Sequence, residues 1–547
     1  MSTEIFDMGY DGFEKRDELK KTLAESLVLA LSKNASKKVF CDYSFGRLKF
    51  SCAEILAMSL ALSLKIKEMT TKPNIGIVCS PSIYALIANY ACIFAKKVPV
   101  NLNFTMGANS IKDCLEIADI DTMLSLAPVR EKVSQLNSSF PWLENYFDIL
   151  DIMQSFDLDY LKDIKHNADD LDFIYKNFDI EKAQDGITNN KLATIIFTSG
   201  SEAKPKAAML SERNIIANCL QVAEVEVFDK SETVLANLPI FHCFGLLFGV
   251  WNVALQGQNT LSVASALDIK TTIKAIKEEK ISYMIGSPTF YRAYLKKASV
   301  DDLKSLKKVI AGAEKTPLGF EELWNNTFAT KSYFEGYGLT EATPVVSVNL
   351  PNKEYETHSV GKRLGSVGKL FLGMQARLLD PITKEVLPRN SQGLLSLRGA
   401  NVFMGYLNDP EITAETLDGD WLITGDLARI DDDGFLYIEG RFKRFSKIAG
   451  EMVSHIAIET AIATELNITD SDKQLIAIAS RQDDNRGECL VLISAVDIDL
   501  RELQDLCKTA KIPNIAVPKH IVRVKDIAIL PTGKLDLKTI IALGKGE

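Results

Sequence analysis

Short apolar runs that end in glycine and polar residues are the feature of this sequence that most constrains its fold. Three of them are Ile281–Ile285, Lys307–Glu314 and Ser332–Glu341, and a helical pattern, Thr271–Lys280, precedes the first. Strands that alternate with helices form parallel sheets, and the carboxyl ends of parallel strands meet at one edge of the sheet. The sequence therefore predicts an α/β fold with a site at that edge.

The stretch Thr194–Ala207 has the composition of a phosphate-binding loop at the end of a strand. Leu192–Phe197 is too short and too β-branched for a helix, so it predicts a buried strand. Hydroxyls, a glycine and a lysine follow it, and these groups bind polyphosphates. They are Thr198, Ser199, Gly200, Ser201 and Lys206. A polar surface loop has a similar composition, so this stretch alone leaves both interpretations open.

Length and charge limit the classes of protein to consider. The chain has 547 residues, whereas one hydrophobic core supports roughly 250–300, so we expect at least two domains. A net charge of −9 argues against a nucleic-acid partner, because binding to phosphate backbones requires a basic face.

The nine cysteines are scattered without metal-ligand spacing, and the N-terminus lacks the pattern of a secretory signal. Both observations predict a cytoplasmic protein. Leu235–Leu255 has the length of a membrane span, but its asparagines, proline, histidine and glycines favour a buried loop and helix, so no transmembrane segment is predicted.

The pattern changes near Gln375 to short strands and turns, including a hairpin turn at Asp431–Gly434. We predict a large multi-layer α/β domain over residues 1–440, with sheets, flanking helices and a small β-barrel-like subdomain. A smaller, mobile α+β domain is predicted over residues 441–547, with a tail of strand plus loop. The acidic segment Asn145–Asn190 has no clear periodicity and predicts a surface excursion without function.

Four motifs in a fixed order carry a resemblance that covers nearly the whole chain. They are Phe197–Lys206, Glu335–Glu341, Ile423–Leu427 with Gly440–Arg441, and Leu530–Lys534. This order and spacing resemble the adenylate-forming (AMP-binding) superfamily of acyl-CoA synthetases, luciferases and peptide-synthetase adenylation domains.

Within that superfamily the sequence is most similar to the synthetase half of the bacterial 2-acylglycerophosphoethanolamine acyltransferase/acyl-[acyl-carrier-protein] synthetases. The stretches that carry this closer likeness are Thr198–Glu202, Ala311–Lys315, Thr343–Ser347 and Arg444–Ser454.

The resemblance implies roles in binding ATP. Joining a carboxylate to ATP places negative charge on the α-phosphate in transit, so a metal ion and a cation are expected there. Glu341 is the implied Mg²⁺ ligand, Thr340 a phosphate contact, and Lys534 the cation that bridges the carboxylate and the α-phosphate. Asp426 would accept hydrogen bonds from the ribose, with Arg441 nearby.

The other implied nucleotide contacts lie in the phosphate loop and in an adenine pocket where Tyr337 stacks on the ring. They are Thr198, Ser199, Gly200, Ser201, Lys206, Gly312, Ala313, Glu314, Gly336, Tyr337 and Gly338. Outside the motif context, Glu341 and Lys534 would be solvated surface groups, Asp426 a turn residue and Tyr337 a core aromatic.

The resemblance also implies an acyl-binding wall and a hinge. The implied acyl contacts are His242, Phe244, Gly245 and Trp251, although a histidine and aromatics in an apolar stretch are equally typical of a core. Lys443 falls at the hinge of the C-terminal domain, and Lys447 and Gly450 fall on the face used in the thiol step.

Three functions are compatible with these residues. The first is ATP-dependent activation of a fatty acid to an acyl-adenylate, followed by transfer to the phosphopantetheine thiol of holo acyl carrier protein, with ATP and Mg²⁺ as cofactors. The second delivers the acyl group to coenzyme A. The third is nucleotide or acyl binding without turnover, since Ala203 and Ala207 replace glycines usual in the phosphate loop. Acyl length, oligomeric state and transient contact with a membrane stay open.

Overall fold

The structure is a computed structural model that describes residues 5–183, 190–198, 204–227, 229, 231–317, 319–330, 332–355, 358–449, 451–468, 474–483, 487–529 and 535–546. Its strands, in chain order, are β1 (Phe6–Asp7), β2 (Phe40–Asp42), β3 (Leu48–Phe50), β4 (Asn74–Val78), β5 (Val98–Asn101), β6 (Met123–Ser125), β7 (Tyr146–Asp148), β8 (Leu192–Thr198), β9 (Lys206–Ser211), β10 (Thr233–Ala236), β11 (Asn259–Ser262), β12 (Tyr283–Gly286), β13 (Lys308–Ala311), β14 (Tyr333–Gly338), β15 (Val345–Val348), β16 (Lys353–Glu354), β17 (Ser359–Val360), β18 (Lys369–Leu370), β19 (Met374–Leu379), β20 (Gly393–Gly399), β21 (Leu417–Asp418), β22 (Trp421–Ile430), β23 (Leu436–Arg441), β24 (Phe445–Ile448), β25 (Glu451–Ser454), β26 (Ile476–Asp483), β27 (Gly487–Ser494) and β28 (His520–Arg523).

The α-helices are α1 (Tyr10–Glu14), α2 (Leu23–Lys33), α3 (Cys52–Met69), α4 (Ile83–Phe94), α5 (Ala108–Ile117), α6 (Ala127–Leu136), α7 (Ile149–Gln154), α8 (Leu158–His166), α9 (Leu171–Asn177), α10 (Glu212–Glu224), α11 (Cys243–Leu246), α12 (Asn252–Leu255), α13 (Ile269–Glu279), α14 (Pro288–Lys297), α15 (Val300–Leu303), α16 (Phe320–Thr327), α17 (Pro410–Thr416), α18 (His455–Glu465), α19 (Leu500–Thr509) and α20 (Leu537–Lys545). Short 3₁₀ turns lie at Asp17–Lys20, Thr340–Ala342, Phe442–Arg444 and Asn514–Ala516, and a π-helical turn lies at Leu247–Trp251.

A mostly parallel sheet carries the strand ends on which the sequence analysis concentrated. Its order is β18–β15–β14–β13–β12–β10–β11–β2–β3. The strands from β14 through β2 in that order are parallel, and antiparallel strands flank them on both sides. The α/β prediction is confirmed, and the three predicted runs are neighbouring strands.

A second sheet, β5–β4–β6–β7, is parallel throughout. Helix α4 connects β4 to β5, and Ser82 caps its first turn by accepting a hydrogen bond from the backbone N–H of Ala85. This strand–helix–strand unit agrees with the predicted α/β fold.

Strands β8 and β9 form an antiparallel pair in which Thr198 lies opposite Lys206. Ser211 then begins α10 with a capping box, because its hydroxyl accepts from the backbone N–H of Asn214 and the Asn214 side chain accepts from the backbone N–H of Ser211. The strand predicted over Leu192–Phe197 is confirmed, and it extends to Thr198.

The acidic segment before β8 contains three short helices that the sequence analysis missed. Helices α7, α8 and α9 are each capped by an aspartate and each bury one isoleucine. Helices of six to nine residues are too short to show a 3.6-residue period, so only the capping aspartates mark them in the sequence.

The apolar segment Leu235–Leu255 folds as predicted, into the end of β10, a loop, and the short turns of α11 and α12. Within the described ranges, no helix is long and apolar enough to cross a membrane.

Strands β19 to β23, with β1, form an antiparallel sheet in which β22 and β23 are joined by the predicted turn at Asp431–Gly434. Beyond it, two apolar clusters are built only from residues of the C-terminal part, one around Ile462 and Leu492 and one around Ile493 and Ile540. The prediction of a large N-terminal and a smaller C-terminal α/β domain is therefore confirmed, whereas a boundary at residue 441 stays a prediction.

The predicted tail of strand plus loop is wrong in part, because helix α20 follows β28. Asp536 caps α20, and the helix packs on β26 at Gly544, where an added Cβ would lie 2.3 Å from the Cβ of Ala479. The close contact with a distant strand stabilises this nine-residue helix, and local periodicity does not show such a contact.

Candidate active site

The parallel strands β10, β12, β13 and β14 end at one edge of the large sheet, and eight predicted site residues lie in or just after the ends of β13 and β14. Gly312 continues from β13 and donates its backbone N–H to the carbonyl of Gly286 at 2.9 Å. Glu314 accepts a 2.6 Å hydrogen bond from the hydroxyl of Thr289. Ala311 pairs with Glu335, and a Cβ on Gly312 would lie 3.7 Å from the carbonyl oxygen of Gly336, so the two predicted adenine segments, 312–314 and 336–338, lie side by side.

Backbone geometry explains the small residues at these strand ends. A Cβ on Gly338 would lie 2.1 Å from the carbonyl oxygen of Pro344, and one on Gly336 would lie 3.1 Å from that of Ser347. Ala313 has a φ of +67°, in the left-handed region that non-glycine residues rarely adopt. Strained backbone of this kind clusters at functional sites.

Tyr337, Asp426 and Arg441 form one connected polar group. The Tyr337 hydroxyl donates to Oδ2 of Asp426 at 2.5 Å, and the Arg441 Nε lies 3.0 Å from Oδ1 of the same carboxylate. The Asp426 side chain is only 5% exposed. Burial raises the pKa of Asp426 while the Arg441 guanidinium opposes that rise. Burial and the Asp426 carboxylate together raise the pKa of Tyr337 well above its usual value, so its hydroxyl stays protonated.

Glu341 and Lys206 approach this group through a residue that the sequence analysis did not single out, Tyr406. Its hydroxyl donates to Oε1 of Glu341 at 2.6 Å, and the Lys206 ammonium lies 5.5 Å from the centre of its ring. Partial desolvation lowers the pKa of Arg441, whose side chain is 55% exposed, but Asp426, Tyr337 and Glu341 raise it, with a net rise. Glu341 therefore lies within electrostatic reach of the polar group formed by Tyr337, Asp426 and Arg441.

Tyr406 was missed because a tyrosine among Phe403, Met404 and Leu407 has the pattern of a core aromatic. Its only local signal is the preceding Gly405, whose φ is +115°. A glycine needed for backbone geometry next to an aromatic does not specify which distant carboxylate the aromatic binds.

The predicted acyl segment also reaches the strand ends. The thiol of Cys243 lies 3.2 Å from the hydroxyl of Thr340, and the Phe244 ring would be 3.5 Å from a Cβ on Gly312. Phe244 in turn packs edge-on against Phe248 at 5.5 Å between ring centres. Apolar rings and the proposed phosphate contact are thus adjacent.

His242 and Trp251 differ in their surroundings. His242 is exposed, in contrast to the typical core histidine, and its Nδ1 accepts from the backbone N–H of Phe244 at the start of α11. Trp251 is 1% exposed and packs on Tyr90 at 6.0 Å between ring centres. His242 borders the site, whereas Trp251 lies in the main hydrophobic core.

The phosphate loop is described only at its two ends, Thr198 and Lys206; Ser199, Gly200 and Ser201 lie outside the described residues. Ala207 lies in strand β9, a backbone conformation that alanine adopts without strain. The concern that an alanine at 207 restricts the loop is therefore removed, while Ala203 lies outside the described residues.

The predicted residues of the C-terminal domain are less completely placed. Lys443 lies in the exposed 3₁₀ turn after β23, and Lys447 is exposed on β24, where its backbone N–H donates to Glu488. Gly450 and Lys534 lie outside the described residues.

Glu341 fits the Mg²⁺ role by the chemistry of its donor set. No group of three or more histidine, cysteine, aspartate or glutamate side chains is arranged to hold a metal ion among the described residues. Mg²⁺ keeps several waters and is bound by one or two carboxylates plus substrate phosphates. One carboxylate beside a phosphate site is therefore a sufficient protein contribution.

The loop that carries Cys243 and Phe244 depends on Gly245. A Cβ at Gly245 would lie 2.2 Å from the carbonyl oxygen of Pro239, whereas one at Gly249 would make ordinary contacts with Ala236 at 3.8 Å and Ile240 at 3.9 Å. We expect Gly245→Ala to lower the free energy of unfolding by about 1–3 kcal/mol, because the loop must shift. Gly249→Ala is the matched control and is expected to change it by less than about 0.5 kcal/mol. Urea unfolding followed by tryptophan fluorescence measures both, and equal midpoints for the two variants would contradict the prediction.

Comparison with known proteins agrees with this geometry. A family model described as "AMP-binding enzyme" matches residues 30–407, more than half of the chain. A medium-chain acyl-CoA ligase from Danio rerio is 31% identical over 350 residues, which cover 62% of this chain and 56% of the relative. 4-coumarate–CoA ligase 2 from Nicotiana tabacum is 30% identical over 375 residues, which cover 65% of this chain and 67% of the relative. The chain thus spans only about half to two thirds of the length of these relatives.

Among solved structures, ATP-bound MatB from Rhodopseudomonas palustris has a similar fold, with a TM-score of 0.74 at 21% identity over 95% of this chain and 99% of that one. The family model and the relatives confirm the superfamily that the motifs predict, and the solved structure shows the same fold. The chain therefore belongs to the family of AMP-binding enzymes.

Proposed function

We propose that this protein is an acid–thiol ligase that uses ATP to convert a carboxylic acid to an acyl-adenylate and then transfers the acyl group to a thiol. The observation that carries the proposal is the convergence of Tyr337, Asp426 and Arg441 with Glu341 and Lys206 at the carboxyl edge of the large sheet. Ligands of α/β sheets bind at such edges.

The nucleotide would lie across the ends of β13 and β14. Asp426 has the buried carboxylate that accepts hydrogen bonds from ribose hydroxyls, and Tyr337 presents a ring beside it for the adenine. Lys206 and Thr198 would contact the phosphates, and Thr340 would contact the α-phosphate next to the acyl carboxylate.

Mg²⁺, when bound, would offset negative charge on the phosphates during transfer. Glu341 is the residue we assign to hold it, with the phosphates and water completing the coordination. The role of Lys534, bridging the carboxylate and the α-phosphate, rests on the Leu530–Lys534 motif.

The acyl chain would lie against the rings of Phe244 and Phe248, because apolar walls favour an aliphatic or aromatic acid over a polar one. The Danio rerio relative is named a medium-chain acyl-CoA ligase, and this name supports a fatty acid. The tobacco relative is named for an aromatic acid, 4-coumarate, which is the second candidate.

Coenzyme A is the acceptor we now favour. The sequence analysis placed acyl carrier protein first on the strength of Arg444–Ser454 and related stretches. Both relatives described above are named as CoA ligases, and their names support coenzyme A. Acyl carrier protein remains the second candidate, because Arg444–Ser454, which resembles the acyl-[acyl-carrier-protein] synthetases, includes residues proposed for the thiol step.

The thiol step would involve movement of the C-terminal domain about Lys443. We propose a boundary between residues 440 and 441, close to the end of β23. Lys443 is the exposed residue of the short turn between β23 and β24, and a few residues in such connections absorb the backbone changes of hinges.

The proposal is tested by exchange of labelled pyrophosphate into ATP with the purified full-length chain and a series of fatty and aromatic acids. We expect exchange that depends on the acid. Holo carrier protein and coenzyme A are then offered together, and we expect the acyl thioester to form mainly on coenzyme A. Exclusive thioester formation on carrier protein would reverse the choice of acceptor. Tight ATP binding without exchange for any acid would instead favour the non-catalytic alternative.

A further inference from the structure

Residues 403–407 form a segment, here called the clasp, that joins the strand after the phosphate loop to Glu341. Its backbone pairs with β9 through three hydrogen bonds, from Met404 N–H to Met209 carbonyl, from Met209 N–H to Gly405 carbonyl, and from Leu407 N–H to Ala207 carbonyl, at 2.9–3.0 Å. At its start, the Phe403 N–H donates to the carbonyl of Glu341 at 2.9 Å. The clasp therefore contacts both halves of the proposed phosphate site.

Tyr406 repeats this connection with its side chain. Its hydroxyl donates to Oε1 of Glu341 at 2.6 Å, and its ring lies under the Lys206 ammonium at 5.5 Å. The residue is 7% exposed, so both contacts are largely shielded from water. Burial and the Glu341 carboxylate raise the pKa of Tyr406, so its hydroxyl remains a donor at neutral pH.

Two buried tyrosines of the core, Tyr291 and Tyr90, bond differently. The hydroxyl of Tyr291 donates to the backbone carbonyl of Ile310 at 2.7 Å, and that of Tyr90 donates to the carbonyl of Val250. These hydroxyls satisfy backbone groups in the core. Tyr406 instead binds an ionisable side chain and faces an ammonium, both of which belong to the proposed site.

We propose that Tyr406 is a positioning residue that couples Lys206 to Glu341, so that the cation on the phosphates and the carboxylate on Mg²⁺ are held in one arrangement. The inference rests on the proposed function. By occupying Oε1, the tyrosine hydroxyl sets the direction in which Oε2 of Glu341 is presented to the metal. The ring face favours the ammonium through its negative quadrupole, which keeps Lys206 on the same side.

Two variants separate the two contacts of Tyr406. Tyr406→Phe removes the hydroxyl and keeps the ring, so it should affect the hydrogen bond to Glu341 and leave the contact with Lys206 in place. Tyr406→Leu removes both. Tyr291→Phe is the matched control, because it deletes a buried tyrosine hydroxyl that bonds to the backbone carbonyl of Ile310 and not to Glu341.

The measurement is the dissociation constant of ATP by calorimetry, with and without Mg²⁺, on the full chain and in the absence of any acid. We expect Mg²⁺ to tighten ATP binding in the parent and in Tyr291→Phe. In Tyr406→Phe that gain should be smaller by roughly tenfold or more, since a hydrogen bond to a charged group is lost. Binding without Mg²⁺ should stay unchanged in Tyr406→Phe and weaken in Tyr406→Leu.

The outcomes are distinguishable. The coupling role is overturned if Mg²⁺ tightens ATP binding equally in the parent and in Tyr406→Phe. That result leaves the proposed function intact. The coupling role is also overturned if Tyr291→Phe reduces the Mg²⁺-dependent tightening of ATP binding as much as Tyr406→Phe does. The effect would then not be specific to the site. A parent that binds no ATP under either condition overturns the proposed function and this inference with it.

Discussion

Glu341→Gln is expected to lower the rate of acid-dependent pyrophosphate exchange by about 10²–10³-fold, because a metal contact contributes several kcal/mol to stabilising transition-state charge. Glutamine keeps an oxygen that accepts the Tyr406 hydroxyl, so the local fold is preserved while the negative charge is lost. The loss should therefore appear in the reaction and in the Mg²⁺ dependence, with little change in stability.

The matched control is Glu322→Gln, a substitution of an exposed glutamate on α16 outside the proposed site. Its exchange rate should equal that of the parent. An exchange rate for Glu341→Gln within about threefold of the parent at saturating Mg²⁺, a difference below about 1 kcal/mol, would exclude Glu341 as the metal ligand.

Arg444→Met is expected to destabilise the C-terminal domain by about 3–5 kcal/mol, because it leaves the buried carboxylate of Glu459 without its partner. The Arg444 Nη2 lies 2.5 Å from Oε2 of Glu459, and the two side chains are 6% and 11% exposed. Burial raises the pKa of Glu459 and Arg444 opposes that rise. Burial, followed by the Arg444 charge, lowers the pKa of the adjacent His455 to about 3, so its imidazole is neutral and bonds to Ser446.

This ion pair matters to the proposed hinge because Arg444 directly follows Lys443. Glu459 on α18 also accepts from the backbone N–H of Ile478 on β26. The Arg444–Glu459 ion pair thus links the residue after Lys443 to helix α18 and strand β26 of the small domain. Rigid attachment next to the proposed hinge residue would let the domain move as one unit.

Urea unfolding of the full chain, followed by hydrogen exchange in residues 455–509, measures the effect of Arg444→Met. The double variant Arg444→Met/Glu459→Leu should recover most of the lost stability, since an apolar pair replaces the ion pair. Arg523→Met is the control, because it removes an exposed pair with Asp497, and it should cost at most about 1 kcal/mol. A cost below about 1 kcal/mol for Arg444→Met would contradict the assigned role.

Elements with a local signal were predicted well. Strand β8 is marked by the short β-branched run Leu192–Phe197, and the β22–β23 hairpin is marked by the turn Asp431–Gly434. In both cases the physical cause lies within a few residues of the chain, in side-chain shape or in a turn. The helices α7, α8, α9 and α20 were missed because each is short and is stabilised by packing against distant parts of the chain.

The sequence by itself determined the fold class, the carboxyl edge of the sheet as the place of the site, and the residue types gathered there. These depend on local periodicity and on the order of the motifs. Only the tertiary structure decided that the Tyr406 hydroxyl binds Glu341, that Cys243 touches Thr340, and that His242 is exposed while Trp251 is core. Tyr406 and Glu341 are 65 positions apart, and a contact over that separation is set by how the strands pack and not by any pattern along the chain.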